Sequence, residues 1–310
     1  MTTKLLDNSR LGGVWSAAPT PLTNDMKVHT EDVKRMVDHH VRLGVKGLFL
    51  AGTNGEGPWL PDNERRRLVQ TVVEHSGGKL TVAVQVTDNS SARIGDNIHA
   101  AHEDGADIAV IAPPNFFMNA TSSNLKKHYL DAVRKSSLPI GIYDRGNFGP
   151  VTVPASVLKA VYAEKKVVMI KDSSMNREHA CIALAARTKR PGLCILNGYE
   201  FGCVEYIEMG YDGLLLGGGV FNGYLAGLIF DAVKSGDSKL AARLQKRMNR
   251  IMYAVYGGKK ISCWLAGEKK LLMEMGILST WKNFPNYPLK DSCIRAIGKV
   301  IIEDADVLFP

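Results

Sequence analysis

The stretch "VVMIKDSS", residues 167–174, runs four apolar residues into a lysine, an aspartate and two serines. A short apolar run of this kind predicts a buried strand. Its end is chemically odd. An ammonium group taken out of water unpaired is costly, and a lysine in apolar surroundings tends to lose its proton instead. A neutral amine is a nucleophile, and its usual work is a Schiff base with a carbonyl compound. The plainer reading sets Lys171 just beyond the strand end, solvated or paired with Asp172.

The same shape recurs along the chain. Seven further apolar runs predict strands at 13–21, 47–52, 80–87, 107–114, 139–146, 193–200 and 212–219. Between them, stretches such as "TEDVKRMVDHHVRLG" (30–44) and "NERRRLVQTVVEHSGG" (63–78) repeat apolar residues at helical steps. Asp or Thr tends to stand before these helices and Gly after them, as caps require. Eight strand–helix units between residue 13 and about 236 are what a closed parallel barrel needs. An open doubly wound sheet is the alternative, but no GxGxxG follows the first strand. The expected fold is therefore α/β, a (β/α)8 TIM barrel over residues 1–236. Residues 237–310 form a C-terminal helical extension packed on it, with "FPNYPL" (284–289) linking its last two helices.

Bulk properties narrow the function. The chain has 310 residues, 45% hydrophobic and 23% charged, an ordinary globular composition. No stretch is long and apolar enough to span a membrane. The opening "MTTKLLDNSR" lacks the apolar core of a secretion signal, and the five cysteines are odd in number with no CxxC spacing. A cytoplasmic protein with reduced, mostly buried thiols is expected. The eight histidines show no metal spacing, and His39 and His40, adjacent on a predicted helix, point different ways. The net charge of +8 comes in short clusters, among them "ERRR" (64–67), "KRMNR" (246–250) and "GEKK" (267–270). No nucleic-acid motif accompanies them, so they predict solvated faces with a mild attraction for anionic substrates rather than nucleic-acid binding.

In a barrel of this kind the chemistry sits at the C-terminal ends of the strands. Here those ends read "AGTNGEG", "IYDRG", "IKDSS", "NGYE" and "LGGG", and their polar groups would converge on one pocket. "GTNGEG" (52–57) is no P-loop, because no GK[ST] follows it. Its glycines let backbone N–H groups approach a small anion. Together with Tyr143 and Lys171, the pattern resembles the dihydrodipicolinate synthase / N-acetylneuraminate lyase family of class I pyruvate aldolases. The carrying residues are Gly52-Thr53-Asn54-Gly55-Glu56, Tyr143 and Lys171, with "NGYE" (197–200) and "GGGVFN" (217–222) similar to later substrate-contact segments.

The resemblance implies that Lys171 forms an imine with pyruvate or another 2-keto acid. It implies that Tyr143 shuttles a proton and that Thr53 holds Tyr143. The Thr53 and Asn54 N–H groups would bind the substrate carboxylate, with Gly52 beside them and Glu56 supporting the loop. Ser173, Glu200 and Gly219 match positions lining the far end of the substrate. No metal or organic cofactor is implied, since the imine itself is the electron sink. The partners are pyruvate and an aldehyde, in a homo-oligomer, tetramer or dimer.

Three departures from the pattern limit the substrate. Asn54 stands where a second threonine is common. Phe116, in "PPNFFMN" (113–119), stands where many members have a tyrosine. Phe148 and its neighbours fill the place of a carboxylate-clamping arginine, with Arg145 only two residues past Tyr143, free to serve from there or to pair with Asp144. These departures argue against dihydrodipicolinate synthesis and leave the pyruvate half intact. The expected substrate is a 2-keto-3-deoxy sugar acid or related hydroxy-2-oxo acid, cleaved or formed at a carbon–carbon bond. The alternatives are a dehydratase using the same imine, the synthase, and a keto-acid-binding paralogue without turnover.

Overall fold

In the computed structural model, which describes residues 8–310, each expected run forms a strand. These are β1 (Gly13–Ser16), β2 (Gly47–Leu50), β3 (Thr81–Gln85), β4 (Ile108–Ile111), β5 (Ile140–Asp144), β6 (Val167–Asp172), β7 (Cys194–Asn197) and β8 (Gly213–Leu216). The stretch 1–7, part of the segment read for a secretion signal, lies outside the described residues. The strands are buried almost throughout, because barrel strands are covered on both faces. They pair in chain order, all parallel, and β1 returns to β8 from Gly13↔Gly213 to Ser16↔Leu216, so the sheet closes. The barrel expectation holds.

The helices are α1 (Asn8–Leu11), α2 (Thr30–Arg42), α3 (Asp62–Ser76), α4 (Ser91–Glu103), α5 (Ser122–Lys135), α6 (Ala155–Tyr162), α7 (Arg177–Lys189), α8 (Cys203–Glu208) and α9 (Gly219–Lys234). The extension adds α10 (Ser238–Val255), α11 (Trp264–Glu274), α12 (Asp291–Glu303) and α13 (Ala305–Leu308). Ser90, Thr121, Asn176 and Asp237 accept backbone N–H bonds at the starts of α4, α5, α7 and α10.

Two apolar layers result. One lies between strands and helices; the other fills the barrel with Trp15, Phe49, Ile108, Val110, Met169 and Leu215, and with Tyr143 near its C-terminal end. Leu11 belongs to the inner layer, and its carbonyl accepts the Trp15 indole N–H at 2.8 Å. The helix α1, which sequence periodicity does not announce, thus closes the end of the barrel opposite the site. A Cβ on Gly47 would stand 2.5 Å from the Trp15 ring and 2.6 Å from the Thr81 carbonyl, so only glycine admits the indole there.

The extension corrects one expectation. "GEKK" (267–270) is not a solvated face, since Glu268 and Lys269 on α11 are fully buried. The Lys269 ammonium pairs with Glu56 in the turn after β2 and bonds the Lys282 carbonyl at 2.7 Å. The other clusters are tied in part to neighbouring acids: Arg66 to Asp104, and Arg247 and Arg250 to Asp304. The cysteines are free, all buried but Cys181. His39 and His40 do point apart, to the Val220 carbonyl and to Ser16 Oγ, and burial holds them down to about 4 and about 3.

Candidate active site

Tyr143 and Lys171 are register partners across β5 and β6, so both side chains project to the same side of the sheet, into the barrel. The Lys171 Nζ lies 4.3 Å from the centre of the Tyr143 ring and 5.1 Å from that of Phe49. Lys171 is only 5% exposed. Burial pushes its ammonium below the ordinary lysine value, although Tyr143 and Glu200 pull the other way. Burial pushes the Tyr143 phenol up, but Lys171, a hydrogen bond with Thr53, Arg145 and a bond with Ser173 together bring it below its usual value. Asp172 points to the opposite side, where it accepts the Tyr211 hydroxyl at 2.6 Å and the Ser174 N–H at 2.8 Å. It does not neutralise Lys171.

The turn after β2 is tightly wound. Ala51 and Glu56 hold left-handed φ angles of 52° and 60°, a strain that non-glycine residues carry only where the surroundings enforce it. Glu56, fully buried, supplies that enforcement through Lys269 and the Phe284 N–H, which matches its expected supporting role. Gly52 is pressed against Phe49, its missing Cβ 2.7 Å from the ring, so it makes room rather than contacts. The amide N–H groups of Thr53 and Asn54 have no backbone acceptor among the described residues. The Asn54 side chain is another matter. Its Nδ2 faces the Ala17 carbonyl, the Gly217 carbonyl and Glu268 Oε1, so its amide is committed to the protein and does not reach for a substrate carboxylate.

Glu200 stands where β7 and β8 end. Its Oε2 accepts the Gly218 N–H at 2.7 Å and its Oε1 the Tyr256 hydroxyl at 2.9 Å. Burial pushes its carboxyl up, against the pull of those donors and of Lys171. Ser173 follows Lys171 and bonds Tyr143. Gly219 opens α9. It is buried, and a Cβ on it would stand 2.8 Å from the Ser16 Cα. It serves packing against β1, while a Cβ on Gly217 would stand 3.6 Å from both Glu200 oxygens.

Two further expectations change. Arg145 does not pair with Asp144, which accepts His179 Nδ1 at 2.7 Å instead. The Arg145 guanidinium bonds the Pro113 carbonyl at 2.6 Å on the loop after β4, which keeps a cation beside Tyr143 from the shifted position. Phe116 and Phe148 are both exposed, at 62% and 57%.

The sequence profile of the dihydrodipicolinate synthetase family matches residues 10–293. The chain belongs to that family. An N-acetylneuraminate lyase of Rhizobium meliloti is 26% identical, covering 94% of this chain and 95% of its own. A 4-hydroxy-tetrahydrodipicolinate synthase of Chlorobium luteolum is 25% identical, over 92% and 94%. The solved dihydrodipicolinate synthase of Bacteroides thetaiotaomicron superposes with a TM-score of 0.86 at 26% identity, over 94% and 98%. A synthase and a lyase match almost equally well, so membership of the family sets an aldolase/lyase class and leaves the substrate open.

Within this family frame, the residues that sequence reasoning missed come from outside the strand ends. Tyr256 just past the end of α10 and Glu268 on α11 reach the site from the extension, and His179 on α7 braces Asp144. The one available signal was a glutamate and lysine, 268–269, inside an otherwise apolar helical stretch.

Proposed function

We propose that the protein is a lysine Schiff-base lyase/aldolase that releases pyruvate from, or joins it to, an aldehyde, with a 2-keto-3-deoxy sugar acid or related hydroxy-2-oxo acid as the long substrate. The observation that carries this reading is the buried Lys171 amine beside the Tyr143 phenol, in no ion pair with a carboxylate among the described residues and with burial outweighing the pull of Glu200. In cleavage, the Lys171 amine adds to the C2 ketone and water leaves, giving a protonated imine. Tyr143 takes the proton of the C4 hydroxyl, the C3–C4 bond breaks, and its electron pair flows to the imine nitrogen as an enamine. The aldehyde departs. Protonation at C3 and hydrolysis then return pyruvate and free lysine. The Thr53 and Asn54 N–H groups hold the C1 carboxylate, and Arg145 adds positive charge nearby. The reaction asks for no metal or organic cofactor.

Reduction with borohydride in the presence of pyruvate tests this. A mass increment on the Lys171 peptide, absent from Lys171→Ala, is expected. No adduct with pyruvate or longer 2-keto acids would sink the proposal. Glu200 favours one second reading, dehydration through the same imine. A carboxyl whose pKa burial raises, near the far end of the substrate, suits the departure of a hydroxyl as water. Product carbon number separates the two: pyruvate plus an aldehyde for cleavage, an unchanged chain for dehydration.

A further inference from the structure

The Thr53–Asn54 turn is held from behind by α11. Asn54 Nδ2 lies 2.8 Å from Glu268 Oε1, 2.9 Å from the Ala17 carbonyl and 3.2 Å from the Gly217 carbonyl. Glu268 is fully buried and Asn54 nearly so. This leaves one head-group atom on each residue unused. Asn54 Oδ1 and Glu268 Oε2 are both buried and both without a partner. Two acceptors cannot satisfy one another, and buried acceptors left alone are costly. A single proton on Glu268 removes both defects. A carboxylic acid and a primary amide can close a two-point ring, with the amide N–H on one acid oxygen and the acid O–H on the amide oxygen.

The groups around Glu268 favour that proton. Tyr256 just past α10, Glu200 after β7 and the Glu56–Lys269 pair all act on Glu268. Burial pushes the Glu268 carboxyl well above the usual range. The Asn54 bond and Lys269 pull it down, but Glu200 and Glu56 add to the rise. Lys269, the cation that draws it down, is already paired with Glu56.

We propose that Glu268 is a neutral carboxylic acid that locks Asn54 in an acid–amide ring, positioning the Thr53–Asn54 turn for a carboxylate substrate without placing an anion behind it. The inference rests on the assignment of that turn to the pyruvate carboxylate. Glu268 touches no substrate atom; it acts through Asn54. Ionised, it would repel the carboxylate that the turn is shaped to receive.

The test compares full-length wild type, Glu268→Gln and Glu268→Leu. Glutamine keeps an acceptor and a donor for Asn54; leucine has neither. In borohydride trapping at varied pyruvate, Glu268→Leu is expected to raise the half-saturating concentration roughly tenfold, the loss of about one buried hydrogen bond, with little change in maximal rate. Glu268→Gln is expected to stay close to wild type. The infrared difference between wild type and Glu268→Gln at pH 7 is expected to contain the C=O stretch of a protonated carboxyl. If Glu268→Leu does not fold, Asn54→Ala removes the ring from the other side and is expected to give the same rise. Carboxylate bands in the difference spectrum overturn the inference. So does a Glu268→Gln protein as impaired as Glu268→Leu, or an unchanged half-saturation in a folded Glu268→Leu. Should wild type trap no pyruvate, the Schiff-base reading fails, while the infrared result still decides the state of Glu268.

Discussion

In the proposed reaction Lys171 attacks a ketone only as a free amine, and burial at the strand end favours that form. Burial lowers its pKa, so trapping with pyruvate is expected to accelerate with pH and level off below about 10.4, the value of a free lysine. A plateau reached only above that value would remove the argument from burial. Tyr143→Phe keeps the ring beneath the ammonium and deletes only the hydroxyl. Cleavage is expected to slow by about 10²–10⁴-fold, with the Lys171 adduct still detectable by mass spectrometry. A Cβ on Gly198 would overlap Ser173 Oγ and stand 3.0 Å from the Lys171 Cε. Gly198→Ala is therefore expected to lose up to about 10²-fold in kcat/KM at a nearly unchanged melting temperature. Lys171, Tyr143 and Thr53 were legible because they end apolar runs, where a barrel keeps its chemistry. The partners of the Asn54 side chain are not legible in sequence, because its acceptors on Ala17, Gly217 and Glu268 are brought to it only by closure of the fold.

Elements are joined to the site by buried polar ties. Lys269 on α11 meets Glu56, both fully buried. Lys269→Met leaves an unpaired buried carboxylate and is expected to destabilise the protein by about 3–5 kcal/mol in chemical denaturation. A smaller loss would mean that water reaches Glu56. A second tie joins β5 to α7. The hydrogen bond that His179 donates to Asp144 raises the His179 pKa, against burial. A raised folded-state value means that the tie contributes fully below the unfolded value of about 6.5 and fades as pH rises through the folded one. The stability gap between wild type and His179→Asn is thus expected to be larger at pH 6 than at pH 9. The strands were readable as elements because both their faces are apolar. The charged residues of α11 were taken for a surface because periodicity records which residues share a helix face, and not what that face meets.

At the scale of the molecule, the extension and the barrel share one site. Tyr256 and Glu268 from the extension contact Glu200 and Asn54 of the barrel. Unfolding by calorimetry is expected to be a single transition, and two separate transitions would show the extension to be independent. What the sequence by itself determined is the alternation of eight apolar runs and helices, the barrel that this implies, and the placing of Tyr143 and Lys171 at neighbouring strand ends. These follow from local patterns, because strand burial and strand order are written in contiguous residues. What only the tertiary structure decided is which side chains back the site: Glu268 behind Asn54, Tyr256 on Glu200, His179 on Asp144 and Arg145 turned to Pro113. Asn54 and Glu268 are separated by more than two hundred residues of chain. Packing of α11 against the top of the closed barrel brings them together, and a buried polar group takes its partners from those that packing places beside it.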